Sequence, residues 1–309
     1  MSPKVVVAGA ASLYMALGLE GFPLRYAPTA THRWANVGVA GAACHVARVQ
    51  SALGNDVELC TLVGDDAAGA AIRWELGGLG LLGAGVVETA ASSLGLVLVG
   101  PEGQRMGLPH LTPVNKVSYP FNVLRDRAQA ADLLVLTNAK FVRPLLGPAD
   151  ELGIPIAVDV HLISDLDGDY NRPWLERAEI VFCSHERLAS PSDWVGAVFR
   201  RYPRCRIVGV GMGADGALLG LREGLLVRVA AAPAGEIVNT SGAGDALFAT
   251  FLATRLQGAD PIAAIQSGVL HAGWKIGHRL PASVSLSSQE LEARRVCAPP
   301  PTTVGRWSS

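Results

Sequence analysis

An α/β fold, with a mostly parallel sheet covered by helices on both faces, is the class that this sequence predicts. Two observations carry that reading. Short apolar, β-branched runs alternate with longer runs of helical length, and half of the 309 residues are hydrophobic, enough for a sizeable core. In chain order, Val-Val-Val-Ala at 5–8 reads as a first buried strand and 45–53 as a helix. Strand 57–63 and helix 67–76 follow, then strand 94–99, helix 122–130 and strand 133–137. Helix 143–152, strand 156–160, a short helix at 174–177 and strand 180–183 continue the alternation. Helix 192–201 leads to two strands, 207–210 and 217–221, and the helices 244–256 and 261–277 close the pattern. In such sheets ligands bind at the carboxyl ends of the strands.

The composition excludes several classes. Twenty-six basic and 27 acidic residues leave a net charge of −1 without a cluster of Lys and Arg, so a nucleic-acid partner is not expected. The five cysteines, Cys44, Cys60, Cys183, Cys205 and Cys297, are odd in number and scattered, the pattern of reduced cytoplasmic thiols rather than of a disulfide framework or zinc site. The apolar run after Lys4 is broken by Gly9, Ser12 and Gly18 and reads as a buried strand rather than a signal-peptide core. No stretch reaches the ~18 uninterrupted apolar residues of a membrane span. The chain is therefore expected to be one domain over 1–297, with a flexible Pro-rich tail at 298–309.

Chemistry concentrates where Asn239-Thr240-Ser241-Gly242-Ala243-Gly244-Asp245 runs into the apolar stretch 246–253. A small-residue loop opening a buried helix exposes unpaired N–H groups and the positive end of the helix dipole, a site for an anion. Asp245 falls in the first turn, where the dipole favours its carboxylate, and is a candidate base; the alternative is a simple cap and turn. Two G-x-G-x-x-G matches, 211–216 and 78–83, do not follow the first strand and so do not indicate a dinucleotide fold, and no P-loop is present.

The motif resembles the Asp-Thr-x-Gly-Ala-Gly-Asp signature of the ribokinase, or PfkB, family of sugar and nucleoside kinases. The likeness extends over about residues 4–290, through 40–47, 53–57, 62–69, the turn 101–105, Val158-Asp159 and the loop 211–216. It implies a ribokinase-like three-layer α/β/α sandwich in which two inserts, about 11–38 and 94–112, form a small β-sheet lid, with a homodimer through that lid as a further expectation. It also implies ATP and Mg2+. Gly242, Ala243 and Gly244 would hold the γ-phosphate and Asp245 would take the proton of the attacking hydroxyl. Ser184, Thr240, Gly211, Gly213, Gly216 and His271 would line the ATP site, although His271 reads equally well as a core histidine. Glu186 and Asn239 are the metal candidates, and Ser12, Tyr14, Gly41 and His45 the substrate candidates.

Departures from the signature bear on what can be transferred. Asn239 replaces an Asp, which puts a monovalent cation in doubt, and Arg187 stands where the family has Glu. Tyr14 and His45 replace an Asp and an Asn that grip sugar hydroxyls, which suggests a ligand with a ring to stack on, or else that the two merely pack together. The expected activity is ATP-dependent phosphorylation of a small sugar-containing substrate. A nucleoside kinase, adenosine- or pseudouridine-like, and a degenerate nucleotide or metabolite sensor are the alternatives.

Overall fold

The computed structural model describes residues 2–232 and 235–307. The first strand, β1 (Lys4–Ala8), lies third from one edge of a ten-stranded sheet, with Val5 and Val7 buried on one face and Val6 and Ala8 on the other. Around it the chain lays down β2 (Ser12–Gly18), β3 (Trp34–Ala40), α1 (Ala42–Ala52), β4 (Asp56–Gly64), α2 (Ala67–Gly78) and β5 (Val86–Thr89). The next elements are β6 (Ser93–Val99), β7 (Arg105–His110), α3 (Phe121–Arg127), β8 (Leu133–Leu136), α4 (Leu146–Asp150), β9 (Ile156–Leu162), α5 (Arg172–Leu175) and β10 (Ile180–Ser184). The last are α6 (Pro191–Arg201), β11 (Ile207–Gly211), β12 (Ala217–Leu221), β13 (Leu225–Val229), α7 (Ala243–Leu256), α8 (Pro261–Lys275), α9 (Ser288–Cys297) and β14 (Thr302–Arg306).

The large sheet runs β14-β13-β12-β11-β10-β9-β8-β1-β4-β5 and is parallel from β5 to β11, then antiparallel to its β14 edge. One face packs against α1, α2, α7, α8 and α9, the other against α3, α4, α5 and α6, so the two faces of each central strand feed two separate cores. Phe182 meets Phe248 and Phe251 at ring centroids of 5.1 and 5.2 Å, which fixes α7 over β10. The two segments that break the alternation, 11–38 and 94–112, supply a second sheet of four strands, β3-β2-β6-β7, over the carboxyl ends of the first.

Several elements differ from the sequence reading. The Pro-rich end was expected to be flexible, yet β14 pairs antiparallel with β13, and Trp307 donates its indole N–H to Leu221 O at 2.8 Å while stacking on Phe199. The helix expected at 143–152 is a 3-10 turn at Arg143–Leu145 that runs into the short α4, which contains Gly147 and Pro148. The strands β5 and β13 and the helix α9 were not anticipated, while β2, β3 and β7 were expected only as parts of the small lid sheet. β3 and β7 contain Gly, and β7 also Pro109; β7 lies at the edge of its sheet with every residue exposed, so it carries no apolar alternation to read.

Candidate active site

The loop that opens α7 is held before the helix begins. Val238 and Asn239 donate their backbone N–H groups to Ile276 O at 2.8 and 3.0 Å, which ties the loop to the end of α8. The Asn239 side chain, 0 % exposed, donates through Nδ2 to Arg279 O at 2.9 Å and accepts from Ser241 N at 3.0 Å through Oδ1. Both ends of the amide thus help to build the turn, and a metal at Asn239 would have to share Oδ1 with Ser241 N. Thr240 Oγ1 donates to Gly103 O at 3.0 Å, so the hydroxyl proposed for ATP instead fastens the loop to the β6–β7 turn of the small sheet.

Gly242 then takes the left-handed conformation, φ +71°, as the N-cap of α7. A Cβ there would lie 1.8 Å from His45 Cε1, so the His45 ring occupies the space that the missing side chain leaves. Ala246 N–H to Gly242 O, 2.9 Å, is the first bond of the helix, and the N–H groups of Gly244 and Asp245 precede it at the positive end of the dipole. Ala243 N–H leans on Thr240 O at 3.4 Å.

Asp245 lies in this first turn with its side chain 17 % exposed. Its Oδ2 accepts from His45 Nδ1 at 3.1 Å, while Oδ1 has no hydrogen-bond partner among the described residues. Burial pushes its pKa up, but the hydrogen bond from His45 and the nearby His161 and Lys275 outweigh burial and lower it, which favours the carboxylate. His45 itself is held below its ordinary value by burial and by Lys275, against the pull of Asp245. It is the neutral ring, donating from Nδ1, that orients Asp245.

A cavity of about 400 Å³ opens onto Asp245 between the two sheets. Ser12, Tyr14, Gly41 and His45, the four substrate candidates, all border it, together with Lys140 and His161 from the ends of the large sheet. Gly41 caps α1 at φ +102°, where a Cβ would meet Ala10 O at 2.3 Å. Ser12 is less available than expected, since its hydroxyl is hydrogen-bonded to Ser93 Oγ at 2.7 Å. The Tyr14 ring packs with Ala16, Trp34 and Ala282 at the cavity wall, and burial pushes its phenol up to about 12. His45 is engaged by Asp245 and lies against Gly242.

Sequence reasoning counted Asp159 only as part of the end of a central strand and gave neither it nor His161 a place in the site. Both sit at the carboxyl end of the central strand β9, and the signal available was an Asp ending an apolar run in a parallel sheet. Ligand atoms of Asp159, His161 and Asp245 lie within 4.8 Å of one another. Two carboxylates beside a phosphate-binding helix start suit a magnesium ion that keeps several waters, and the imidazole is the less usual partner for it. Burial and the Asp245 charge raise the Asp159 pKa. Although burial disfavours its charged form, His161 is raised by Asp159 and Asp245. Glu186, the other metal candidate, is exposed and outside this group.

The remaining candidates lie at the ends of β10 and β11. Ser184 pairs in register with Gly211, His185 Nδ1 bonds Gly211 O at 2.9 Å, and Gly213 and Gly216 turn the chain at φ +58° and +89°. Leu247 of α7 approaches Gly211, which brings this loop beside the first turns of the helix. His271 does not join it. The ring is 0 % exposed, with Nδ1 bonded to Thr250 Oγ1 at 2.7 Å and Nε2 accepting from Leu286 N at 3.1 Å. His271 is thus a satisfied core histidine, which corrects its assignment to the ATP site; burial lowers its pKa to about 3.

Comparison with known proteins agrees with this architecture. Residues 175–288 match the model of the pfkB family of carbohydrate kinases. The ATP-dependent ribose-1-phosphate kinase of Halopiger xanaduensis is 30% identical over 247 residues, covering 75% of this chain and 80% of that protein. The 1-phosphofructokinase of Haloferax volcanii is 30% identical over 248 residues, covering 77% of this chain and 79% of its own length. In fold, the chain is similar to a microbiome-derived acarbose kinase, with a TM-score of 0.82 at 24% identity over 95% of this chain and 98% of that one. No helix among the described residues is long and apolar enough to cross a membrane. With its ribokinase-like fold and its Gly242–Asp245 helix start, this chain belongs to the PfkB family of carbohydrate kinases.

Proposed function

We propose that this protein uses ATP to phosphorylate a hydroxyl of a small sugar phosphate, with Asp245 as the base. The observation that carries the reading is Asp245 on the cavity wall at the positive end of α7, with His45 holding Oδ2 and Oδ1 left without a hydrogen-bond partner among the described residues. A substrate hydroxyl bonded to Oδ1 loses its proton to Asp245 as its oxygen attacks the γ-phosphorus. The bond from that phosphorus to the β–γ bridging oxygen breaks, and ADP departs with the electron pair. The N–H groups at the start of α7 stabilise charge on the transferred group. Magnesium held by Asp159 and water would offset phosphate charge there. The four-stranded sheet over the cavity would act as a lid that excludes water, tied to the catalytic loop by Thr240 and Gly103. The nucleotide would run along the 211–216 loop and Ser184.

The sugar-phosphate reading is supported by the cations around the cavity. Lys140 and His161 line it, and Arg105 of β7 is close enough to act electrostatically on both His161 and Tyr14. Two of the relatives named above, the ribose-1-phosphate kinase and the 1-phosphofructokinase, are named for phosphorylated sugars. A sensor without turnover has no use for a carboxylate placed at the helix start beside the cavity. The test is ATP consumption with magnesium against sugar phosphates, free sugars and nucleosides, comparing wild type with Lys140→Met. Turnover of a sugar phosphate, with KM for it raised about tenfold by the loss of one charge-assisted contact, is the expected outcome. Preference for an uncharged sugar or nucleoside, with KM indifferent to Lys140→Met, would contradict it.

A further inference from the structure

Two tyrosines border the cavity, and they differ in burial: Tyr14 is 5 % exposed and Tyr170 is 40 % exposed. Tyr170 lies in the segment between β9 and α5, and the chain on either side of it is pinned. Arg143 Nη2 donates to Asp169 O at 2.9 Å, and Asn138 Nδ2 donates to Asn171 Oδ1 at 3.3 Å. The phenol donates its own proton to Asn138 O at 2.5 Å, and the ring rests against the buried Trp174 with centroids 5.8 Å apart. An aromatic side chain fixed at its tip and braced by a second ring, yet still partly exposed, has mainly ring surface left to offer a guest. The polar side chains just after β8 are engaged within the protein: Thr137 Oγ1 donates to Ala8 O at 3.0 Å, and Asn138 Nδ2 also reaches Val160 O at 3.2 Å. Leu94, Val97, Pro109 and Leu111 add apolar wall from the small sheet and the segment that leaves it.

We propose that Tyr170 is a specificity-determining residue, a fixed platform on which the C–H face of a sugar ring stacks while the hydroxyls and the phosphate are read elsewhere on the wall. A furanose or pyranose carries such a face in one piece, and a flat aromatic ring is the side chain that covers it best. Because Tyr170 is held by Asn138 and Trp174 before a substrate arrives, little of the contact energy is lost to ordering the ring. An open-chain polyol of the same composition has no single face to lay on the platform, so Tyr170 selects for the cyclic form.

This inference rests on the reading of the cavity as the sugar site, and the experiment separates the two. Tyr170→Leu, Tyr170→Ala, Tyr170→Phe and Lys140→Met are compared with wild type for kcat, KM of the best sugar phosphate of the panel, Kd of ATP and Tm. An open-chain polyol phosphate of the same carbon number is titrated as a competitor to give its Ki. Stacking raises KM of the cyclic substrate about tenfold in the leucine and alanine variants, while kcat, the Kd of ATP and the Ki of the polyol phosphate stay within about threefold. Tyr170→Phe, which keeps the ring and loses only the bond to Asn138, holds KM within about threefold of wild type. An equal rise of KM in Tyr170→Phe makes the residue an anchor of the chain at Asn138 and overturns the proposal. An unchanged KM in either folded leucine or alanine variant overturns it as well, and so does a rise shared equally by the polyol phosphate. A KM that responds to Tyr170→Leu but ignores Lys140→Met removes the sugar-phosphate reading and leaves the platform standing.

Discussion

Gly242 and Gly54 both adopt left-handed conformations, φ +71° and +90°, but only one of them faces a catalytic side chain. An alanine at Gly54 would meet nothing within 4 Å, so Gly54→Ala costs only the backbone preference, about 1–2 kcal/mol. In a large domain that corresponds to a fall in Tm of roughly 2–8 °C. Gly242→Ala carries the same backbone cost and also drives a methyl to 1.8 Å from His45 Cε1 and 2.4 Å from His45 Nδ1. Restoring van der Waals separation requires a shift of about 2 Å, more than the 3.1 Å hydrogen bond to Asp245 can survive. Misplacement on that scale costs on the order of 100-fold in rate. The two variants are to be compared by differential scanning fluorimetry and steady-state kinetics. Gly54→Ala should keep kcat within twofold, and Gly242→Ala should lose about 100-fold with a larger fall in Tm. Equal Tm losses together with full activity of Gly242→Ala would refute the placement of His45 over the helix start.

Three other outcomes follow from the packing. Asp66 caps α2 through Gly69 N at 2.6 Å and accepts from Ser92 N and Oγ at 2.8 and 2.7 Å, so Asp66→Ala should cost about 1–3 kcal/mol in urea denaturation. Burial pushes its pKa up, but these bonds and Arg73 outweigh burial and depress it, so the contribution is present above its unfolded value and lost as pH falls through the folded one. Lys275 has the opposite sign: burial lowers its pKa from 10.5 to about 7, so its penalty is full below pH 7 and is relieved as pH rises toward 10.5. Wild type should therefore gain on Lys275→Met by up to about 1.4 kcal/mol per pH unit between pH 7 and 10, and parallel stability profiles would contradict this. Deleting 298–309 removes β14 and the Trp307 contacts and should lower stability by at least about 2 kcal/mol, whereas a flexible tail would be removed at no cost.

What could be read from the sequence was what depends on neighbours in the chain. The buried strands β1, β4, β8 and β9 announce themselves by β-branched runs, and the start of α7 by small residues before an apolar helix. α9 carries a capping box between Ser287 and Glu290, a usable signal, but Leu291 is its one buried residue and it lacks an apolar stripe. The chemistry of the site depends on partners far apart in sequence. The Asn239 amide is held by Arg279, 40 residues away. His45 was grouped with the substrate residues because its partner Asp245 lies 200 residues away. Lys275, last in a helix, reads as a solvated residue at the negative end of a dipole, and only the packing of α1 and α7 buries it.

The role of Asp245 is tested most directly by measuring ATP turnover and ATP affinity together in wild type and Asp245→Asn, with the best sugar phosphate of the panel. Retained affinity within threefold and turnover lowered at least 1000-fold is the predicted result, since the amide keeps the shape of the turn but cannot accept the proton. Turnover within tenfold of wild type at unchanged affinity would contradict Asp245 as the base.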